Sequence, residues 1–222
     1  HYRVLIDGGP DAKVVQKLGE VVPFWTRTID LVILTHPHAD HAGGLSDVLE
    51  RYKVGAVIES GANYGTAEYA AWQKKETDKK IISYGAISGT RISIGKYARL
   101  KILTPFSSAA GESFKNIHDA NIASELDFGK TKILLMGDAE DESERELLRR
   151  GVLGDVDILK VGHHGSKTSS SGAFLKIAKP EIAVISVGRK NRYGHPYEAV
   201  LKRLQDFGAK IMRTDTDGDI TL

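Results

Sequence analysis

The sequence predicts an α/β fold, with sheets covered by helices, and three observations point to it. Short apolar runs alternate with amphipathic stretches of roughly ten residues from one end of the 222-residue chain to the other. That interleaving is the pattern of helices packed on sheets. The apolar runs are rich in Val and Ile and end in turn residues or ionisable groups, as strands do. The chain shows no internal repeat and no low-complexity linker, so one layered domain over residues 1–222 is expected. Strands are expected at 4–7, 30–35, 55–60, 81–84, 92–94, 100–104, 122–128, 132–137, 157–161, 183–187 and 210–214. Helices are expected at 44–53, 66–77, 140–150, 170–178 and 197–207. The last is the clearest, because Ala199, Leu201, Leu204 and Phe207 form an apolar stripe that Gly208 stops. The longest piece without periodicity is 105–119, a length at which loops tend to be functional or mobile.

Composition narrows the function classes. Hydrophobic content of 41% and charged content of 27% fit an ordinary globular chain. No apolar run approaches the roughly 20 residues that span a bilayer. The chain lacks a start methionine and a signal-like segment, which suggests an excised domain or a processed product. Cysteine is absent, which removes thiolate ligands, disulfides and a thiol nucleophile together. A net charge of +2 does not announce a nucleic-acid binder. Lys74-Lys75 with Lys79-Lys80, and Arg149-Arg150, read as solvated helix faces. Arg189, Lys190 and Arg192 lie close to His195, where cations would attract a phosphate diester.

The chemistry gathers at strand ends. Ile6 is followed by Asp7, Thr35 by His36, Gly137 by Asp138 and Gly162 by His163-His164, and the loop after 183–187 reaches His195. Ligands collect at such ends in layered α/β folds. The run His36-Pro37-His38-Ala39-Asp40-His41 packs three imidazoles and a carboxylate into six residues. Neutral imidazole and carboxylate suit zinc, manganese or iron. On an extended loop, His36 and His38 can point one way, toward one metal. Asp40 and His41 can face a neighbouring site as the chain turns into the Gly43-Gly44 helix start. Two ions roughly 3.5–4 Å apart can hold both the attacking and the leaving oxygen of a displacement.

His-x-His-x-Asp-His after a strand resembles the signature of the metallo-β-lactamase superfamily. The resemblance implies an αββα sandwich, two mixed sheets flanked by helices, with a dinuclear site on one edge. Leu5-Ile6-Asp7-Gly8-Gly9 resembles the opening motif, which implies that Asp7 supports a metal-binding histidine through a hydrogen bond. The stretch from Leu134 to Asp138 resembles the motif whose aspartate bridges both metals, although a strand-end aspartate can also cap a helix. Lys160-Val161-Gly162-His163-His164-Gly165-Ser166, Gly194-His195-Pro196 and Asn121-Ile122-Ala123-Ser124 narrow the resemblance. They are similar to the branch that includes the C-terminal domains of ComEC/Rec2-type DNA-uptake channel proteins. That branch also takes in choline-phosphate esterases, and the match runs from Asp7 to the last strand.

Several roles follow from the resemblance alone. His195 corresponds to the late histidine of the second metal. Where most dinuclear members place a further histidine on the first metal, this chain reads His118-Asp119-Ala120-Asn121. The branch motif falls on Asn121, with His118 as the rival. An amide oxygen favours harder cations, which brings manganese level with zinc. Of His163 and His164, one faces the metals as ligand or general acid and the other buttresses the loop, with His164 preferred for the site. Ser166 and Lys167 lead into a helix start that either binds an anion or is simply capped by serine. The function implied is a metal-dependent phosphodiesterase, a DNase that degrades one DNA strand during uptake for natural transformation. Asp40, His163 and His164 are its catalytic candidates, and Ser166, Lys167, Arg189, Lys190 and Arg192 its phosphate contacts. The implied cofactors are two Mn2+ or Zn2+ ions. The implied partners are DNA and the rest of a membrane channel, on the extracytoplasmic side of the cytoplasmic membrane. Two other readings stand beside it. One is a small-substrate phosphodiesterase, with an aromatic cage drawn from Trp25, Tyr64, Tyr69 and Trp72. The other is a binding module that has lost its metals.

Overall fold

Helical crossovers force strands to run parallel, and tight turns let them run antiparallel. Both connections occur here, in two separate sheets. The computed structural model describes residues 2–222, which divide into two compact units, one running up to Ile87 with Pro105–Ile122 and the other Ser88–Thr104 with Ala123–Leu222.

The first unit contains β1 (Val4–Ile6), α1 (Lys13–Val21), β2 (Thr28–Leu34), α2 (Ala39–Ala42), α3 (Leu45–Arg51), β3 (Lys53–Glu59), α4 (Ala67–Asp78) and β4 (Ile82–Gly85). Its four strands lie in the order β1-β2-β3-β4 with every pair parallel. Parallel strands covered on both faces read as continuous apolar runs. In β2, accordingly, Ile29 and Leu31 through Leu34 are all buried. Trp72 and Tyr69 of α4 pack with Val32, Leu45, Val48 and Val57 as the core. Thr66 caps α4 by accepting from the Tyr69 N–H at 3.4 Å. A one-turn 3-10 helix over Ile117–Ala120 interrupts the long loop. The Ile122 N–H donates to the Thr35 carbonyl at 2.9 Å, which holds this segment against the end of β2.

The second unit contains β5 (Arg91–Ile94), β6 (Ala98–Ile102), β7 (Ser124–Phe128), β8 (Thr131–Leu135), α5 (Asp141–Arg149), β9 (Ile158–Lys160), α6 (Gly172–Ala178), β10 (Ile182–Ile185), α7 (Glu198–Asp206), β11 (Lys210–Arg213) and α8 (Thr214–Asp217). The sheet order is β11-β10-β9-β8-β7-β6-β5. From β5 to β8 the strands are antiparallel, and from β8 to β11 they are parallel. The change falls where tight turns give way to helical connections: Gly129, at φ 63°, turns β7 into β8, and α5 carries the chain from β8 to β9. The parallel half brings the C-terminal ends of β8, β9 and β10 to one edge, and those ends carry Asp138, His163-His164 and the loop to His195. Both sheets are flanked by helices, as expected of an α/β fold, but only the second is mixed: the first, implied to be mixed as well, is wholly parallel because each of its connections runs through a helix.

Candidate metal centre

The first unit gathers one group of candidate ligands at the parallel ends of β1 and β2, where Ile6 pairs with Ile33. Asp7 follows at φ 60°, in the left-handed region. Its Oδ1 accepts from the Thr35 N–H at 2.8 Å. Its Oδ2 accepts from the Thr35 hydroxyl at 2.8 Å and from His41 Nδ1 at 2.7 Å. A carboxylate takes only the donor side of the imidazole, so His41 carries its proton on Nδ1 and leaves Nε2 for a metal. Because the Thr35 hydroxyl spends its proton on Asp7, it accepts from His36 Nδ1 at 3.1 Å. His36 therefore also presents Nε2.

Close backbone approach makes this possible. A Cβ on Gly44 would lie 2.3 Å from the Gly8 carbonyl oxygen, and one on Gly43 would lie 2.3 Å from that of Pro10. Only glycine lets the Gly8–Asp11 turn sit on the junction of α2 and α3, where Gly8 N–H donates to the His41 carbonyl of α2 at 2.7 Å.

His36 is fully buried, and its Nε2 lies 3.1 Å from His38 Nδ1. His118, on the 3-10 turn, sets its ring centroid 5.1 Å from that of His36, tilted, and 4.8 Å from that of His38, edge to face. One donor atom from each of the three falls within 4.8 Å of the others. Two nitrogens about 2.0–2.1 Å from one tetrahedral ion lie roughly 3.4 Å apart, so the His36–His38 spacing fits a shared cation. His118, the second choice from sequence for this position, stands with the other two histidines. Asn121 is buried just beyond the same turn, its N–H donating to the His118 carbonyl at 3.1 Å. Asp40 is exposed on α2 next to His41.

In the second unit Asp138 is buried after β8. His163 and His164 follow β9 with φ 45° and 53°, two consecutive non-glycine residues in the left-handed region. Such strain persists where surrounding contacts fix it. Here Gly162 packs so closely that a Cβ would lie 2.6 Å from the Ala139 carbonyl oxygen. His164 Nδ1 donates to the Ser186 carbonyl at 2.7 Å, which leaves Nε2 facing Asp138 Oδ2 at 3.4 Å. His163 Nδ1 bonds Glu140 Oε1 at 3.1 Å, and its Nε2 is 3.9 Å from Asp138 Oδ2. His195 packs its ring 5.7 Å from that of His163, and Asn191 clamps its backbone through bonds of 2.8 and 2.9 Å. Burial lowers the His195 pKa, and the charges of His163 and His164 push it the same way. A neutral imidazole is the ligating form.

Sequence reasoning missed the supports. Glu140 also accepts from Thr168 Oγ1 at 2.7 Å, and Lys160 Nζ donates to the Gly137 carbonyl at 2.8 Å beside Asp138. The position of Glu140, two residues past Asp138 at a helix start, was the available signal. Ser166 is buried and bonds Thr168 Oγ1 at 2.9 Å. Glu144 accepts from the N–H groups of Ser170 and Ser171, while Ser171 Oγ caps α6. The start of α6 is thus already supplied with acceptors from the chain itself. Lys167, Arg189, Lys190 and Arg192 are exposed. Tyr69 and Trp72 are core residues that donate to Glu59, so neither is available for an aromatic cage.

A fold of two helix-flanked sheets, with histidines and aspartates at its strand ends, defines a class. The chain belongs to the metallo-β-lactamase superfamily, whose model matches residues 2–189. Among curated proteins it is similar to ComE operon protein 3 of Bacillus subtilis, with 32% identity over 218 residues, covering 91% of this chain and 26% of that protein. It is also similar to Competence protein ComA of Neisseria gonorrhoeae, with 32% identity over 197 residues, covering 86% of this chain and 25% of that protein. The chain therefore spans about a quarter of the length of these relatives. Among solved structures, the metallo-β-lactamase fold protein YhfI of Bacillus subtilis superposes with a TM-score of 0.61 at 16% identity, covering 96% of this chain and 83% of that one.

Proposed function

We propose that this chain is a metal-dependent phosphodiesterase that degrades one DNA strand during uptake, as part of a membrane channel protein and on the extracytoplasmic side. The observation that supports it most is the convergence of His36, His38 and His118, with donor atoms within 4.8 Å of one another, on segments that the superfamily model matches. In this reading His36, His38 and His118 hold one ion, with His118 in the place first given to Asn121. Asp40 and His41 remain for a second ion. In the second unit Asp138, His164 and His195 are ligands, and His163, held by Glu140, gives a proton to the leaving oxygen. Two divalent ions, manganese or zinc, supply charge neutralisation and a nucleophile when bound. Arg189, Lys190, Arg192 and Lys167 attract the phosphate backbone. Tyr193, 67% exposed and stacked on His195 at 5.8 Å, offers a face to a base.

The test uses apo protein loaded with manganese or zinc. It is assayed on linear single-stranded and double-stranded DNA and on a bis-aryl phosphodiester. Metal-dependent DNA cleavage that disappears in His36→Ala and Asp138→Ala, with the fold retained, is the expected result. Persistent metal-dependent cleavage in either variant refutes the ligand assignment. Hydrolysis of the small ester without DNA cleavage moves the reading to a small phosphodiester. Fewer than one equivalent of bound metal moves it to a binding module.

A further inference from the structure

We infer that the edge of the first unit formed by the N-terminal ends of β2, β3 and β4 docks on an anionic lipid surface. These strands are parallel and begin at Thr28, Lys53 and Ile82. The edge therefore lies at the opposite end of the sheet from Asp7 and His36, about 23 Å away for a seven-residue strand.

Two features coincide there. The first is unpaired positive charge. A groove of about 580 Å³ is lined by Arg27, Arg51, Lys53, Lys79 and Lys80, with Glu50 as its one acidic residue. Glu50 is engaged by Lys75 at 2.8 Å and by Lys79 at 4.0 Å. Arg27, Arg51, Lys53 and Lys80 make no ion pair among the described residues. An adjoining hollow of about 430 Å³ shares Arg27 and Arg51 and is closed by Val15, Gln16 and Gly19 of α1, with Asp47 as its acidic group.

The second feature is apolar surface left in water. Directly after those α1 residues, Val21 is 76%, Phe24 81% and Trp25 73% exposed. Phe24 and Trp25 stand edge to face at 4.9 Å, in a turn closed by the Thr26 N–H on the Pro23 carbonyl at 2.8 Å. Contiguous apolar groups in water mark a surface that something else covers. A nucleic-acid strand would use the cations and could stack on Trp25, but it rewards neither Val21 nor an aromatic pair set edge to face. A bilayer interface rewards both, because indole and phenyl rings seat at headgroup depth while arginine and lysine meet anionic headgroups. Docked this way, the strand ends that carry His36 point away from the bilayer. The inference does not depend on the phosphodiesterase reading.

The experiment is sedimentation of the chain with vesicles of phosphatidylcholine alone or with about one third phosphatidylglycerol. Binding to the anionic vesicles, and little to the neutral ones, is expected, with a blue shift in tryptophan emission. The shift reports on Trp25, because Trp72, the other tryptophan, is already fully buried. Phe24→Ser with Trp25→Ser should weaken vesicle binding at least about ten-fold. Arg27→Gln with Arg51→Gln should weaken it about five-fold per cation. Neither pair should alter metal-dependent turnover of a small phosphodiester. Absence of vesicle binding, equal binding by the variants, or an unshifted emission overturns the inference. So does loss of oligonucleotide binding in the arginine variant of a protein that ignores vesicles, which would make the edge a nucleic-acid surface.

Discussion

Asp7→Asn isolates the hydrogen bond that orients His41. Asparagine tolerates the left-handed backbone that Asp7 adopts at φ 60°, whereas alanine would add strain of about 1 kcal/mol or more. Its amide oxygen can still accept from the Thr35 N–H, the 2.8 Å bond that closes the start of the site. The amide nitrogen would then replace Oδ2, and it meets two groups that now donate, the Thr35 hydroxyl and His41 Nδ1. To relieve a donor facing a donor, His41 moves its proton to Nε2, the nitrogen proposed to ligate. Losing such a support costs about 10–100-fold in metal affinity, or about 1.4–2.8 kcal/mol. Calorimetric titration of the apo protein with manganese and with zinc measures this. The expected result is a weakened site in Asp7→Asn, with an unfolding free energy from urea titration within about 1 kcal/mol of wild type. Unchanged affinity for every bound ion would refute the tautomer argument.

Other perturbations follow from the same geometry. Burial, reinforced by the charge of Glu59, pushes the Glu76 carboxyl up to about 8, so the folded state favours its neutral form. Stability is then full below about pH 4.5 and falls by up to about 1.4 kcal/mol per pH unit as the pH rises toward 8. Glu76→Gln should flatten that fall by a few kcal/mol between pH 5 and 8, and parallel urea curves for the two proteins would contradict it. Gly44→Ala places a Cβ 2.3 Å from the Gly8 carbonyl and should cost more than about 2 kcal/mol of stability, read from the thermal midpoint. Changing Arg189, Lys190 and Arg192 to Gln should raise KM for DNA and flatten its salt dependence, with turnover of a bis-aryl ester unaltered.

Much of this was legible because it depends on local pattern. The apolar run of β2, buried on both faces, announced a strand, and the ionisable residues that close several runs marked the candidate ligands. The segments that escaped notice lack such patterns. In α1, Gly19 interrupts the helical signal, and the apolar residues Val14, Val15 and Leu18 that pack against the core span little more than one turn. The turn that carries His118 is four residues long, shorter than any helical period can reveal, and its one cue is Asn116, whose side chain accepts from the His118 N–H at 3.2 Å. The left-handed backbone of His163 and His164 is imposed by partners distant in sequence, Glu140 and Ser186, so no local residue type could announce it. The same limit separates substrate from chemistry: the proposed ligands follow strand ends, while the cations and aromatics proposed to meet a substrate sit on loops without periodicity.

The central claim is that this ligand set makes the chain a metal-dependent nuclease. Cleavage of a 5′-labelled single-stranded oligonucleotide by the apo protein, before and after manganese or zinc, tests it in wild type and in His118→Ala. The account predicts no product without metal, cleavage once metal is added, and at least about a hundred-fold loss in His118→Ala. Cleavage that proceeds without metal, or none with either ion, would contradict it.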